Sequence, residues 1–166
     1  MKKVLLASSL AAFMAAGVAV AHHGEMPVQV GAMSVSHSWT EETSATAHAI
    51  SVFTTIDNFG DEADRLIAAN TDFADDGVFR APVLGDDGAL QVVDVPAVEI
   101  APGQTLTLEP GGIHIVLSDV QQAFVEGDHF HMELEFENAG SMRVAVDVEH
   151  RHDRDHDHDH DHDHAS

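Results

Sequence analysis

The feature that most constrains this chain is a strict period of two near its C-terminal end. From Asp128 to Glu137, Phe130, Met132, Leu134 and Phe136 alternate with His129, His131, Glu133 and Glu135. From Ser141 to Glu149, Met142, Val144, Val146 and Val148 alternate with Arg143, Asp147 and Glu149. Successive strand side chains point to opposite faces, so each run has one apolar face and one wet face. Glu137-Asn138-Ala139-Gly140 separates the runs as a hairpin turn. Two such strands cannot stand alone in water, so more strands must share their core.

Further strands are predicted at Val28–Ser36, His48–Asp57, Leu90–Val95, Thr105–Leu108 and Ile113–Leu117. Turn signals fall between them at Asn58-Phe59-Gly60, Gly85-Asp86-Asp87-Gly88, Ala101-Pro102-Gly103 and Pro110-Gly111-Gly112. Short strands at this spacing predict an all-β antiparallel sandwich or barrel. Only Asp61–Asn70 has helical character. Asp72–Asp87, with its acids, Gly77, Pro82 and Gly85, reads as a long loop or irregular edge.

The ends differ from this body. Residues 1–21 begin with Lys2 and Lys3, continue as an apolar run from Val4 to Val20, and end in Ala19-Val20-Ala21. This is the pattern of a secretory signal cleaved after Ala21, which predicts export to a bacterial periplasm. No second apolar run follows, so no stable membrane anchor is expected. Residues 22–27 are expected to be a flexible His-containing N-terminus, 28–148 the β-domain, and 149–166 a tail without a packable face. Such a tail cannot offset its ordering entropy and is expected to be disordered without a ligand.

Charge and composition then exclude whole classes. The formal charge is −22, from 29 acidic and 7 basic residues. That field repels nucleic acid and anionic membrane surfaces and concentrates cations. There is no cysteine, which removes disulfides, thiolate metal sites and thiol nucleophiles. No nucleophile elbow, phosphate-cradling Gly loop or His-Glu-x-x-His motif is present, so no enzyme is expected. The unusual number is 14 histidines, half of them at or after His150.

Asp155–His164 is Asp-His repeated five times. In an extended chain His156, His158, His160, His162 and His164 share a face, and His150 and His152 extend the array. Imidazoles suit Cu(II), Zn(II) and Ni(II), and the alternating carboxylates add oxygen donors. Neighbouring Asp charges favour protonated His, so affinity should fall as pH drops toward 6. The array is many-registered and open, which suits capture rather than a closed structural site. A solvated acidic tail or an affinity tag is the plainer reading, but strict Asp-His alternation differs from a run of six His.

His22-His23-Gly24-Glu25-Met26 is a second candidate. If cleavage exposes His22, its α-amino nitrogen and imidazole can chelate one ion, with His23 and Met26 as helpers. A small copper oxygenase built on His22 would need another fixed His, which the sequence does not place; terminal disorder is the simplest reading. His129 and His131 share a wet face with Glu133 and Glu135, which fits a surface ion site and ordinary polar residues equally well. His37 and His48 have no partner nearby in sequence.

Three stretches together resemble the periplasmic copper chaperone family called PCu(A)C. They are Ser38-Trp39-Thr40 followed by Phe53-Thr54-Thr55-Ile56-Asp57-Asn58-Phe59-Gly60 and Asp64-Arg65-Leu66, then Leu108-Glu109-Pro110-Gly111-Gly112-Ile113-His114-Ile115, then Glu126-Gly127-Asp128 leading into Leu134-Glu135-Phe136-Glu137-Asn138-Ala139-Gly140. The resemblance spans about Val28 to Val148. It implies a cupredoxin-like Greek-key β-barrel or sandwich, Cu(I) as cargo, and cytochrome c oxidase assembly factors or the oxidase copper centre as partners. It also implies a motif H-x10-M-x21-H-x-M. Anchored on His114, the matching positions hold Ala81, Val92, His114 and Val116, so only His114 keeps a donor.

His114 reads most simply as a polar residue on a partly buried strand, hydrogen-bonded to a neighbour. A ligand role would need partners such as Met26, Met33 or a terminal His. The expected function is therefore a periplasmic metal-binding protein resembling a copper chaperone, with copper, as Cu(I) or Cu(II), or zinc held chiefly by the tail. The alternative is a metal-independent interaction module for respiratory oxidase assembly.

Overall fold

In the computed structural model, residues 26–150 are described. They form eleven strands and no helix: β1 (Val28–Val30), β2 (Met33–Glu41), β3 (Ala49–Asn58), β4 (Asp64–Asn70), β5 (Val78–Leu84), β6 (Leu90–Val95), β7 (Val98–Ile100), β8 (Thr105–Leu108), β9 (His114–Ser118), β10 (His129–Phe136) and β11 (Gly140–Glu149). The two alternating runs are β10 and β11. They pair antiparallel from His129↔Asp147 to Phe136↔Gly140, and their apolar residues are buried as the period requires. Gly140 has φ +90°, a left-handed conformation that favours glycine at the turn.

The strands hydrogen-bond in the order β6-β5-β9-β3-β2-β11-β10-β4-β7, with β1 on β2 and β8 on β3. All pairs are antiparallel except β11 with β2. The architecture is the all-β class expected, but the sheet does not close: β6 and β7 remain its two ends. It wraps around one core in which Ile56, Leu66, Ile115, Met132, Leu134 and Phe136 are almost fully buried.

Two expectations are corrected. The helix expected within Asp61–Asn70 is strand β4, paired to β10 and β7. A register shift opposite Glu135/Phe136 interrupts its alternation, so its buried residues fall at Asp64, Leu66 and Ala69. That uneven spacing is what a bulge does to a period of two. The loop expected over Asp72–Asp87 contains strand β5, which pairs with both β6 and β9. Pro82 is tolerated there because β9 reaches only Val78–Arg80, so Pro82 has β6 as its partner on one side alone.

Two buried polar side chains tie the turns to the sheet. Asn58 donates through Nδ2 to the carbonyls of Glu62 and Ile100, and its Oδ1 accepts from the Gly60 backbone N–H. Asp64 Oδ1 accepts from the N–H groups of Arg65 and Asn138, and its Oδ2 accepts from that of Ala139. The carboxylate thus fixes the β10–β11 turn from 74 and 75 residues away. Both serve the fold rather than the chemistry, because a buried polar group must find partners.

Candidate functional site

The outer face of the sheet carries one continuous row of side chains. His129 on β10 opposes Asp147 on β11, which opposes Trp39 on β2, which opposes Phe53 on β3. The Phe53 ring lies 6.3 Å from the His114 ring, next to the Val52↔Ile115 pair of β3 and β9. His114 opposes Arg80, and Arg80 opposes Asp94, to which its Nε donates at 3.0 Å. Aromatic packing holds the middle of this row: the Trp39 and Phe53 centroids are 4.6 Å apart. His37 joins it from a bulge in β2, in the left-handed region at φ 49°, with its ring 6.2 Å from Trp39.

His114 is half-buried. Its Nδ1 lies 2.9 Å from the Gly112 carbonyl. A carbonyl only accepts, so Nδ1 carries a proton, and in the neutral ring Nε2 then holds the lone pair. That is the state a metal-ligating imidazole requires, with its other nitrogen donating to a backbone oxygen. The same contact also satisfies the plainer reading of a hydrogen-bonded strand residue.

A cleft of about 310 Å³ opens beside His114, lined also by Thr40, Glu41, Glu42, Ser51 and Phe53. Glu42 is held by its backbone N–H, which donates to the Glu149 carbonyl. Its side chain meets the root of the tail: His150 Nδ1 lies 3.0 Å from Glu42 Oε1 and 4.0 Å from Glu126 Oε2. Glu41 and Glu42 carry no distinguishing signal, because adjacent acids are ordinary in a chain with 29 of them.

Of the four positions matching the copper motif, Val92 on β6 and His114 and Val116 on β9 share the outer face, with β5 between the two strands. Ala81 lies on the opposite face of β5, buried with Phe79. Among the described residues, no group of three or more His, Asp or Glu is placed to hold a metal ion. Met26 is exposed, while Met33 is buried in the core. Exposed His48 lends only its backbone carbonyl, to Val120 N–H. Residues 1–21, where a signal is expected, and His22, His23, His152, His156, His158, His160, His162 and His164 lie outside the described residues.

The fold is that of known PCuAC domains. The apo PCuAC domain from PmoF1 is 25% identical over 76% of this chain and 100% of that one, with a TM-score of 0.67. The copper-bound PCuAC domain from PmoF2 is 23% identical over 76% and 100%, with a TM-score of 0.66. The solution structure of apo-DR1885 from Deinococcus radiodurans is 20% identical over 91% and 97%, with a TM-score of 0.56. No curated protein matches the sequence. Residues 33–148 match the family model described as putative lipoprotein LpqE-like, and the chain belongs to this LpqE-like family.

Proposed function

We propose that this protein is an exported copper carrier that captures the ion through its C-terminal Asp-His tail and passes it on by ligand exchange. The observation that carries the reading is the position of His150. The tail begins at the rim of the cleft whose wall holds His114, its Nδ1 donating to the Gly112 carbonyl. His152 and His156 lie two and six residues further on, within an extended reach of roughly 7 and 20 Å. A tail-borne ion therefore has one fixed imidazole within range, beside the acids Glu41 and Glu42. Copper as cargo is supported by the copper-bound domain of the same fold.

Copper is the main ion, with zinc as a competitor for the same imidazoles. The recipient we favour is the copper centre of an oxidase or one of its assembly factors, on the family resemblance alone. Export agrees with the family description as a lipoprotein and with the signal-like first 21 residues. This chain has no cysteine to carry a thiol-linked lipid.

Isothermal titration of the chain from His22 against a version ending at Glu149 tests the proposal. The full chain should bind several Cu(II) or Zn(II) ions, and the short one should lose its tight phase. Equal binding by both would refute the role of the tail.

One observation favours the second reading, an interaction module in which metal is incidental. The β5–β6 hairpin exposes Leu84 and Leu90 at 73% and 72%, with Val92 at 61%, and β6 is a free sheet edge. Exposed apolar edges invite a partner. Restoration of oxidase activity in a deletion strain by a tail-less chain would favour this reading over the first.

A further inference from the structure

A second group of donors lies away from the cleft, on the far end of the same outer row. His129 and His131 are exposed on β10, two residues apart and therefore on one face. Their ring centroids are 6.2 Å apart and the rings are nearly perpendicular, at 80°. A metal bonded to two imidazole nitrogens at about 2.0–2.1 Å holds the ring centres at most roughly 6.4 Å apart. The two rings are thus already within the span of one ion, and small side-chain rotations bring them to a bent geometry.

The surroundings suit a cation. Asp147 opposes His129 across the β10–β11 ladder. Glu133 and Glu135 continue the same exposed face of β10. On the other side, His131 lines a concavity of about 140 Å³ with Thr71, Asp72, Glu133 and Arg143, where β4 ends; Arg143 opposes Glu133 across the ladder and offsets part of the acidic charge. Asp72, on the rim of this concavity, is placed to hold waters of an ion at His131.

We infer that His129 and His131 form a surface site for a divalent cation that prefers imidazole, Cu(II) or Zn(II), separate from the tail and from His114. Two protein nitrogens and water complete the coordination, because no third side chain is placed to join them. Such an open, low-coordinate site exchanges its ion quickly and serves as a port of entry or exit, not as a store. Its position supports that use. β11 passes beside this pair at Asp147 and ends at the tail root before His150, so one strand leads from the port to the tail.

The test uses the full chain, isotopically labelled, observed by NMR while a Cu(II) salt is added past the capacity of the tail. Broadening of the backbone signals of His129, His131, Ala145 and Asp147 is expected. It should vanish in the double variant His129→Ala/His131→Ala and need about tenfold more copper in Asp72→Asn, the usual effect of losing an outer partner. Both His side chains are exposed, so a dispersed spectrum elsewhere should persist. Should the double variant fail to fold, Zn(II)-induced shifts of the two imidazole C–H signals in the unaltered chain give the same answer. Absence of broadening and shifts on β10, or broadening that persists in the folded double variant, would overturn the inference. The tail signals report separately on the proposed function, so either claim can fail without the other.

Discussion

Asp64 offers a quantitative check on how the chain holds its shape. Its side chain is buried, at 5% exposure. It accepts from three backbone N–H groups, at 2.7 Å from Arg65 and 2.9 Å each from Asn138 and Ala139. A hydrogen bond to a charged group contributes about 1.5–3 kcal/mol net. The sum for three is an upper bound, because Asn138 is exposed and its N–H can find water once the carboxylate is gone. We therefore expect Asp64→Ala to cost about 3–5 kcal/mol. Asp64→Asn keeps an oxygen for Arg65 and Asn138 but turns an amide N–H toward the N–H of Ala139, and should cost about 1.5–3 kcal/mol. The single tryptophan, Trp39, stacked against Phe53, reports unfolding by fluorescence. With a urea slope of about 1–3 kcal/mol per molar, the midpoint should fall by roughly 2 M for the alanine variant. Losses below about 1 kcal/mol for both variants, or equal losses for the two, would refute the three-bond account. Metal binding by Asp64→Asn should be unchanged, because Asp64 lines neither the His114 cleft nor the His131 concavity.

Other consequences follow from the same geometry. Gly77→Ala places a methyl group 2.7 Å from the Ala69 carbonyl oxygen and 3.0 Å from Ile115; it should cost about 1–3 kcal/mol in urea unfolding, and a neutral result would contradict the close approach of β4 to the start of β5. Cu(II) added to the full chain should quench Trp39, and His114→Ala should reduce the quenching while leaving urea stability within about 1 kcal/mol, as expected of a half-buried side chain with one hydrogen bond; unchanged quenching would remove His114 from the path of the ion. Binding of Zn(II) by the full chain should weaken from pH 7.5 to 5.5, because each imidazole must be free of its proton to coordinate, so acid competes with the metal; pH-independent binding would exclude an imidazole tail.

The parts of the fold legible in the sequence are those where one periodicity runs unbroken. β10 and β11 alternate cleanly because each has one core face and one solvent face. β4 was illegible because its bulge changes the spacing of Leu66 and Ala69, and β5 because Pro82 and the preceding acids resemble a loop. Ser38 and Thr54 show a further limit: both are buried, satisfied by a 2.8 Å hydrogen bond to each other across β2 and β3, and a polar residue with a distant partner looks like a surface residue. His114 lies on a partly buried strand, as the sequence predicts, followed by Ile115, Val116 and Leu117, all three buried. The cleft itself was not legible, because it arises where the end of β2 meets β3 and the turn before β9, segments far apart in sequence.

The central claim is that copper is carried by imidazoles of the tail, with the barrel-like domain as its platform. The most direct test is the copper content of the protein purified from its native cells, compared with a chain lacking residues 151–166. The account predicts copper on the full chain and little or none on the shortened one, since open two-imidazole sites lose their ion during purification. Equal copper on both would place the ion inside the domain and contradict it.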